Sequence, residues 1–343
     1  MIDVRSDTVT LPTNTMRQAM CDAEVGDDVY KSDPTVIRLQ DICADMLGHE
    51  AALFMPSGTQ SNLVALLTHC QRGDEYIVGA DAHTYKFEGG GAAVLGGIQP
   101  QCVPFAHNGE LPLDAVANAV KEKDIHFANT TLLALENTQH GRVQGLDYMN
   151  RARQFADERK LVLHLDGARM ANAAVALNTS LESVAKPFHS VSLCLSKGLG
   201  APVGSVLLGD KYFIEQALRW RKVTGGGMRQ AGILAAAGIL AITEGVDRLQ
   251  EDHDHAHMLA ELLANVPNVT VRQGWTQTNM VWLDYEGDHG ASLPAFAKEH
   301  GVLISAARNS GRLVMHRDVS RNDVDTVAAV LSAYFEKAKT GMI

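Results

Sequence analysis

Leu161-Val162-Leu163-His164-Leu165-Asp166-Gly167-Ala168-Arg169 is an apolar run that ends on a single carboxylate and a glycine. Val191-Ser192-Leu193-Cys194-Leu195-Ser196-Lys197-Gly198-Leu199-Gly200 repeats the plan with a lysine at its end. Neither run alternates regularly between polar and apolar residues, so each reads as a strand buried on both faces. Outward from this pair, Ala51–Met55, Tyr76–Val78, Thr131–Leu135 and Val206–Leu208 are further short apolar runs, and helical spacing separates several of them. Leu146 to Lys160 is amphipathic. Asp33 can cap a helix with Pro34 in its first turn, an apolar face of Val36, Leu39, Ile42, Cys43, Met46 and Leu47, and Gly48 as its stop. The pattern predicts an α/β fold, a mostly parallel sheet covered by helices. After a long helical region from Gln230 to about Leu263, strands at Val269–Val271, Met280–Leu283, Val302–Ser305 and Arg312–His316 alternate with helices at Ser292–His300 and Asp323–Lys339. The expected division is a large domain at 1–245, opening with an N-terminal arm at 1–15, and a smaller C-terminal α/β domain at 246–343.

Composition narrows the function. The 343 residues are 46% hydrophobic and 20% charged, which excludes disorder and collagen-like repeats. Thirty basic against forty acidic residues give a net charge of −10 with no Lys/Arg block, so no nucleic-acid partner is expected. Cys21, Cys43, Cys70, Cys102 and Cys194 lie far apart with no CxxC pair, which reads as reduced thiols in a cytoplasmic protein without a zinc framework. The charged start, Met1 to Asp7, carries no apolar signal region, and no apolar run approaches the ~18 residues a membrane span requires.

Three pieces carry chemistry. A lysine delivered by a buried strand, as Lys197 is, loses solvent; its pKa is expected to fall and its free amine to become nucleophilic, as a Schiff-base lysine requires. Taken alone, Lys197 also fits a strand end pointing to solvent. Asp166 stands at the carboxyl end of its strand, where open α/β sheets place their active groups. A carboxylate there can keep the pyridine nitrogen of pyridoxal phosphate protonated and so make the ring an electron sink; capping a helix or pairing with Arg169 is the plainer alternative. Ser57-Gly58-Thr59-Gln60 lies between a strand and a helix, and helix N-terminal N–H groups with small hydroxyl side chains cradle phosphate. Together the pieces describe a phosphate cup, a pyridinium carboxylate and a Schiff-base lysine.

With these pieces in place, the chain resembles the L-threonine aldolases of the aspartate-aminotransferase-like (type I) pyridoxal-phosphate fold, over nearly its whole length. The resemblance rests on Asp3-Val4-Arg5-Ser6-Asp7-Thr8-Val9-Thr10, Val25-Gly26-Asp27-Asp28-Val29-Tyr30, Pro56-Ser57-Gly58-Thr59, His164-Leu165-Asp166-Gly167-Ala168-Arg169, Ser196-Lys197-Gly198-Leu199-Gly200 and Gly225-Gly226-Gly227-Met228-Arg229-Gln230. It is closest in kind to the low-specificity type, which accepts threonine and allo-threonine. The resemblance implies pyridoxal 5'-phosphate as cofactor and cleavage of β-hydroxy-α-amino acids to glycine and an aldehyde. It makes Lys197 the Schiff-base lysine and Asp166 the pyridinium partner, with Ser57, Gly58 and Thr59 at the phosphate and His83 against the ring. Ser6, Arg169 and Arg312 receive the substrate carboxylate. His126 matches a second active-site histidine near the β-hydroxyl, so that His83, His126 or a held water takes its proton. Lys222 and Arg229 reach a neighbouring subunit's phosphate in a homotetramer, a dimer of dimers. No metal is implied.

This chain departs from the pattern at two places. After Glu136-Asn137-Thr138 a histidine is expected directly, yet Gln139 comes first and His140 second. Arg308 lies near Arg312 and is a rival carboxylate ligand; Arg312 is preferred because it opens an Arg-Leu-Val strand motif. Asp252-His253-Asp254-His255-Ala256-His257 reads as an exposed helical face, not a metal cluster. Transamination or β-elimination on the same cofactor is the nearest rival reaction. A cofactor-binding regulator would need a DNA-binding module, and an NAD-dependent oxidoreductase would need a GxGxxG fingerprint that is missing.

Overall fold

The computed structural model describes residues 1–339, so residues 340–343 of the expected C-terminal domain lie outside the described residues. After β1 (Ile2–Asp3) come β2 (Ala51–Met55), β3 (Asp74–Gly79), β4 (Gln99–Val103), β5 (Asn129–Glu136), β6 (Val162–Gly167), β7 (Ser190–Cys194) and β8 (Ser205–Gly209). The last third of the chain adds β9 (Val269–Val271), β10 (Met280–Tyr285), β11 (Val302–Leu303), β12 (Ser305–Ala306) and β13 (Ser310–Val314).

Strands β2 to β8 form one seven-stranded sheet in the order β2-β8-β7-β6-β5-β3-β4. It is parallel from β7 to β4, and only β8 runs against its neighbours β7 and β2. This is the mostly parallel α/β sheet that the apolar runs predict. Its inner strands are almost wholly buried because helices cover both faces. The helix Pro34–Leu47 begins and ends as its sequence dictates. Asp33 accepts a hydrogen bond from the Val36 N–H, and Gly48 takes the left-handed φ of 68°.

The second sheet has the order β12-β13-β10-β9 and is antiparallel. Its core joins Leu259, Val281, Leu313, Leu331 and Phe335. The chain's own start docks here: Ile2 pairs with Val302 across β1 and β11, and Val4 is buried in the same cluster. The first residues therefore tie the smaller sheet to the edge of the main one.

Two differences from the sequence reading have plain causes. Strand β4 escapes a hydrophobic pattern because Gln99-Pro100-Gln101 is polar and Pro100 cannot complete a ladder, features tolerated on the edge strand it forms. The long helical region is two helices, Gly232–Glu244 and Leu249–Leu263, broken at Gly245. A Cβ there would stand 2.4 Å from the Ala241 carbonyl oxygen and 3.2 Å from that of Leu199, so the close approach needs glycine. Among the described residues no helix is long and apolar enough to cross a membrane.

Candidate active site

Parallel strands end on one edge, and that edge gathers the polar residues that close the apolar runs. Glu136 at the end of β5 is in register with Asp166 on β6, and Asp166 with Ser192 on β7. A cavity of about 480 Å³ opens above them. Of the residues singled out from the sequence, Gly58, Thr59, His83, Asp166 and Lys197 line it. Ser6, Arg169 and Arg312 line it as well.

Asp166 is buried and held from two sides. Its Oδ2 accepts from Asn62 Nδ2 at 2.9 Å and its Oδ1 from the Ala168 N–H at 3.1 Å. Lys197 Nζ lies 3.1 Å from Cys194 Sγ. Its pKa stands above the ordinary lysine value, contrary to the expectation of a lowered one. Burial does pull it down, but the Cys194 sulfur and the buried Asp7 carboxylate hold the ammonium more strongly than Arg169 repels it. The helix Gly58–His69 aims its N-terminus at the cavity, with Gly58 and Thr59 in its first turn. Ser57 is spent on the helix itself, accepting from the Gln60 N–H, and does not line the cavity. A Cβ on Gly58 would meet Cys194 Sγ at 2.6 Å, so this turn closes onto the lysine strand only with glycine.

His83 stands at the start of a short helix, with Nδ1 2.8 Å from Glu88 Oε1 and its backbone N–H 3.2 Å from Glu136 Oε2. The Glu88 hydrogen bond holds the imidazole above the ordinary histidine value against the pull of burial. Burial also raises the Glu88 carboxyl, against the opposing pull of its hydrogen bond with His83. Burial and then the Asp166 charge push Glu136 up to about 8, which leaves it protonated near neutral pH. Ligand atoms of His83, Glu88 and Asp166 lie within 4.8 Å of one another.

The arginines divide. Arg169 donates through Nε and Nη2 to Asp7, at 2.8 and 2.5 Å, which uses the fork that a substrate carboxylate would need. Burial alone would raise Asp7, but Arg169, Lys197 and Asn279 bring it to about 2. Among the described residues, Arg312 has only the Arg5 carbonyl as a hydrogen-bond partner, at 3.3 Å, and it lies over the Trp282 ring. Arg308 is exposed, paired with Asp288, and outside the cavity.

His126 is the expectation that this chain's own cavity does not meet. It precedes the amino end of β5, whereas the cavity lies at the carboxyl end, and its side chain is 77% exposed and bonded to Asp124. Lys222 and Arg229 also stand outside the cavity lining, Arg229 paired with Asp27 at 3.0 Å. His140, in contrast, lines the cavity and packs edge-on against Trp282. Burial first, and Arg142 next, push it down to about 4, so it is neutral at physiological pH.

Residues 3–286 match the beta-eliminating lyase family. The low specificity L-threonine aldolase of Escherichia coli (strain K12) is 53% identical over 337 residues, covering 98% of this chain and all of the relative. The low-specificity L-threonine aldolase 1 of Arabidopsis thaliana is 41% identical, covering 94% of this chain and 93% of that one. The chain belongs to the low-specificity L-threonine aldolase family. The threonine aldolase of Leishmania major shares the fold at a TM-score of 0.83, with 17% identity over 98% of this chain and all of that one.

In this aldolase-family chain, several residues of the site were given no role from the sequence: Asn62, Glu136, Cys194 and Trp282 in the cavity lining, and Asp7 and Glu88 behind it. Glu136 carried a readable signal, since it ends an apolar run as Asp166 does. Asn62 follows Gly58 by one helical turn, a position from which a side chain points as Gly58 does. Trp282 left no signal, because it reaches the cavity from the second sheet. The histidine-rich helix is corrected too. Asp252, His253 and His255 are buried, with His253 3.2 Å from Asn172 and His257 bonded to the Thr276 carbonyl.

Proposed function

We propose that this chain is a low-specificity L-threonine aldolase that cleaves L-threonine, L-allo-threonine and related β-hydroxy-α-amino acids to glycine and an aldehyde, reversibly, with pyridoxal phosphate. The observation that carries the reading is the pair Asp166 and Lys197, set on adjacent strand ends in one cavity with a glycine-tight helix N-terminus. The donor set fits the cofactor: an amine to hold it, a carboxylate for its ring nitrogen and helix N–H groups for its phosphate. When bound, it supplies an electron sink for the Cα–Cβ bond that breaks.

The chain's residues divide the remaining work. Arg312 receives the substrate carboxylate, and its guanidinium can grip both oxygens. Arg169 stays fixed by Asp7 and offers its remaining amino group beside Ser6. Holding the carboxylate would fix how the substrate's Cα bonds are presented to the bound cofactor, and Arg312 with Arg169 and Ser6 would thereby favour carbon–carbon cleavage. Two imidazoles face the β-hydroxyl region. His83 has Nδ1 engaged by Glu88, while His140 is neutral and, among the described residues, has no hydrogen bond on its ring nitrogens, so His140 is the freer proton acceptor. His126, Lys222 and Arg229 serve a neighbouring copy in a homotetramer, which also covers the exposed Ile125, Val94 and Tyr30. The protein works in the cytoplasm, where its unpaired cysteines stay reduced.

Incubation of the purified protein with L-threonine and pyridoxal phosphate tests the reading. Equimolar glycine and acetaldehyde support it. A 2-keto acid or ammonia would instead select transamination or β-elimination.

A further inference from the structure

Behind Asp166 runs a line of buried polar side chains that the proposed chemistry does not use. Asn62 Nδ2 donates to Asp166 Oδ2 at 2.9 Å, and Asn62 Oδ1 lies 3.2 Å from His164 Nε2. His164 Nδ1 is 2.8 Å from Ser190 Oγ, and that same oxygen is 2.8 Å from His69 Nε2. The fold aligns the four. Asn62 and His69 are two turns apart on one helix face, His164 and Asp166 share one face of β6, and His164 pairs in register with Ser190 of β7. Asn62, His164 and Ser190 are essentially inaccessible to solvent. A sheet covered on both faces would accept aliphatic residues at these places, so four polar groups in line call for a reason.

Their proton directions are forced, one after another. A carboxylate only accepts, so the Asn62 amide must donate through Nδ2, and it does so to both Asp166 and Glu88 Oε1. Asn62 Oδ1 must then accept, which places a proton on His164 Nε2. Burial pushes His164 down to about 4, so it is neutral and its Nδ1 is a bare acceptor. The Ser190 hydroxyl therefore donates to it, and the Ser190 oxygen accepts from His69 Nε2–H. Burial likewise keeps His69 neutral, near 3. The line is a one-way series of donors ending on Asp166 Oδ2.

We propose that Asn62, His164, Ser190 and His69 form a positioning relay that locks Asp166 as an oriented acceptor for the ring nitrogen of the cofactor. The proposal rests on the pyridoxal-phosphate reading of the same cavity. None of the four touches the substrate in this assignment; they act through Asp166. Without the His164 donor, the buried Asn62 Oδ1 is left without a partner, and the amide that donates to Asp166 is no longer braced from behind.

The test compares His164→Leu, His164→Gln and Ser190→Ala in the full chain loaded with pyridoxal phosphate. The readouts are the Kd for the cofactor by fluorescence titration and the pH midpoint of its visible absorption band, with circular dichroism as the check on folding. His164→Leu is expected to weaken cofactor binding about tenfold and to move the midpoint by about half a pH unit or more. His164→Gln keeps an N–H near the Nε2 position and is expected to restore most of both. Ser190→Ala frees only the far end and is expected to give a smaller change of the same kind. If His164→Leu does not fold, Ser190→Ala, which removes one hydroxyl, decides alone: a folded variant with unchanged Kd and midpoint overturns the relay. Equal losses in the Leu and Gln variants overturn it too, since a packing role would not discriminate between them by a donor. A normal band that no variant moves defeats the relay and leaves the function standing; no band in the unaltered protein defeats both.

Discussion

The floor of the cavity and its rim are built to opposite rules. On the floor, Asp166, Arg169 and Lys197 each have a protein partner within hydrogen-bond distance, and they stand on or just beyond strand ends that packing fixes. At the rim, among the described residues, His140 has no ring-nitrogen partner and Arg312 has one long bond to a carbonyl. Burial and the repulsion of Arg169 lower the Arg312 pKa against the weaker pull of the more distant Asp7, and among the described residues no carboxylate pairs with it directly. A paired floor suits a group that stays; an unpaired rim suits one that comes and goes. The two arginines state the contrast within one residue type, since Arg169 already holds a carboxylate of its own chain and Arg312 awaits one.

The contrast can be broken at four points. Lys197→Ala should abolish turnover and the visible band of the bound cofactor together. Borohydride reduction and peptide mapping should mark Lys197, and a label on another lysine would move the floor elsewhere. At the rim, His140→Phe should lower kcat at least tenfold, about 1.4 kcal/mol of barrier, while leaving the cofactor band in place. An unchanged kcat would return the proton to His83 or to a water. Arg312→Lys should raise KM about tenfold because an ammonium cannot grip two oxygens in parallel, whereas Arg308→Lys should leave KM nearly unchanged. The reverse order, measured by steady-state kinetics, would place the carboxylate site outside the cavity.

The smallest effect is on stability. Asp7 sits near 2 in the folded chain, below its unfolded value, so its contribution is present above about pH 4 and is lost as pH falls through about 2. The difference corresponds to about 2 kcal/mol at neutral pH, held by a pair whose loss would leave Arg169 buried and uncompensated. Asp7→Asn should flatten this acid limb in urea titrations taken between about pH 4 and 2. A limb as steep as that of the unaltered protein would show that other carboxylates carry it.

The floor was legible from local sequence pattern, whereas of the rim only Arg312 was expected, and that through the family resemblance, for a physical reason. Lys197 and Asp166 are single polar residues ending apolar runs, and a parallel sheet brings such ends to one edge. Trp282 and Arg312 reach the same cavity from another sheet, and no local pattern gives that docking. His126 shows the limit of matching by position: its place before β5 sets it at the wrong edge for its own cavity. The direction of the Lys197 shift was hidden because burial, the largest influence, is outweighed only by several charges together, the Cys194 sulfur first and then Asp7, 190 residues away in sequence. The histidines of the helix Leu249–Leu263 looked exposed because a period says which residues share a face but not how many faces are covered.

The docking of the first residues has a consequence for how the protein is made. Ile2 and Val4 donate to the carbonyls of Gly301 and Leu303, and the Val4 carbonyl accepts from the Val314 N–H. Three residues further on, Asp7 holds Arg169 and Asn279. A segment synthesised early thus has its partners about 300 residues later in the chain. The pocket, lined by Ser6 from this segment and by Arg312 from β13, can be completed only after most of the chain has been synthesised.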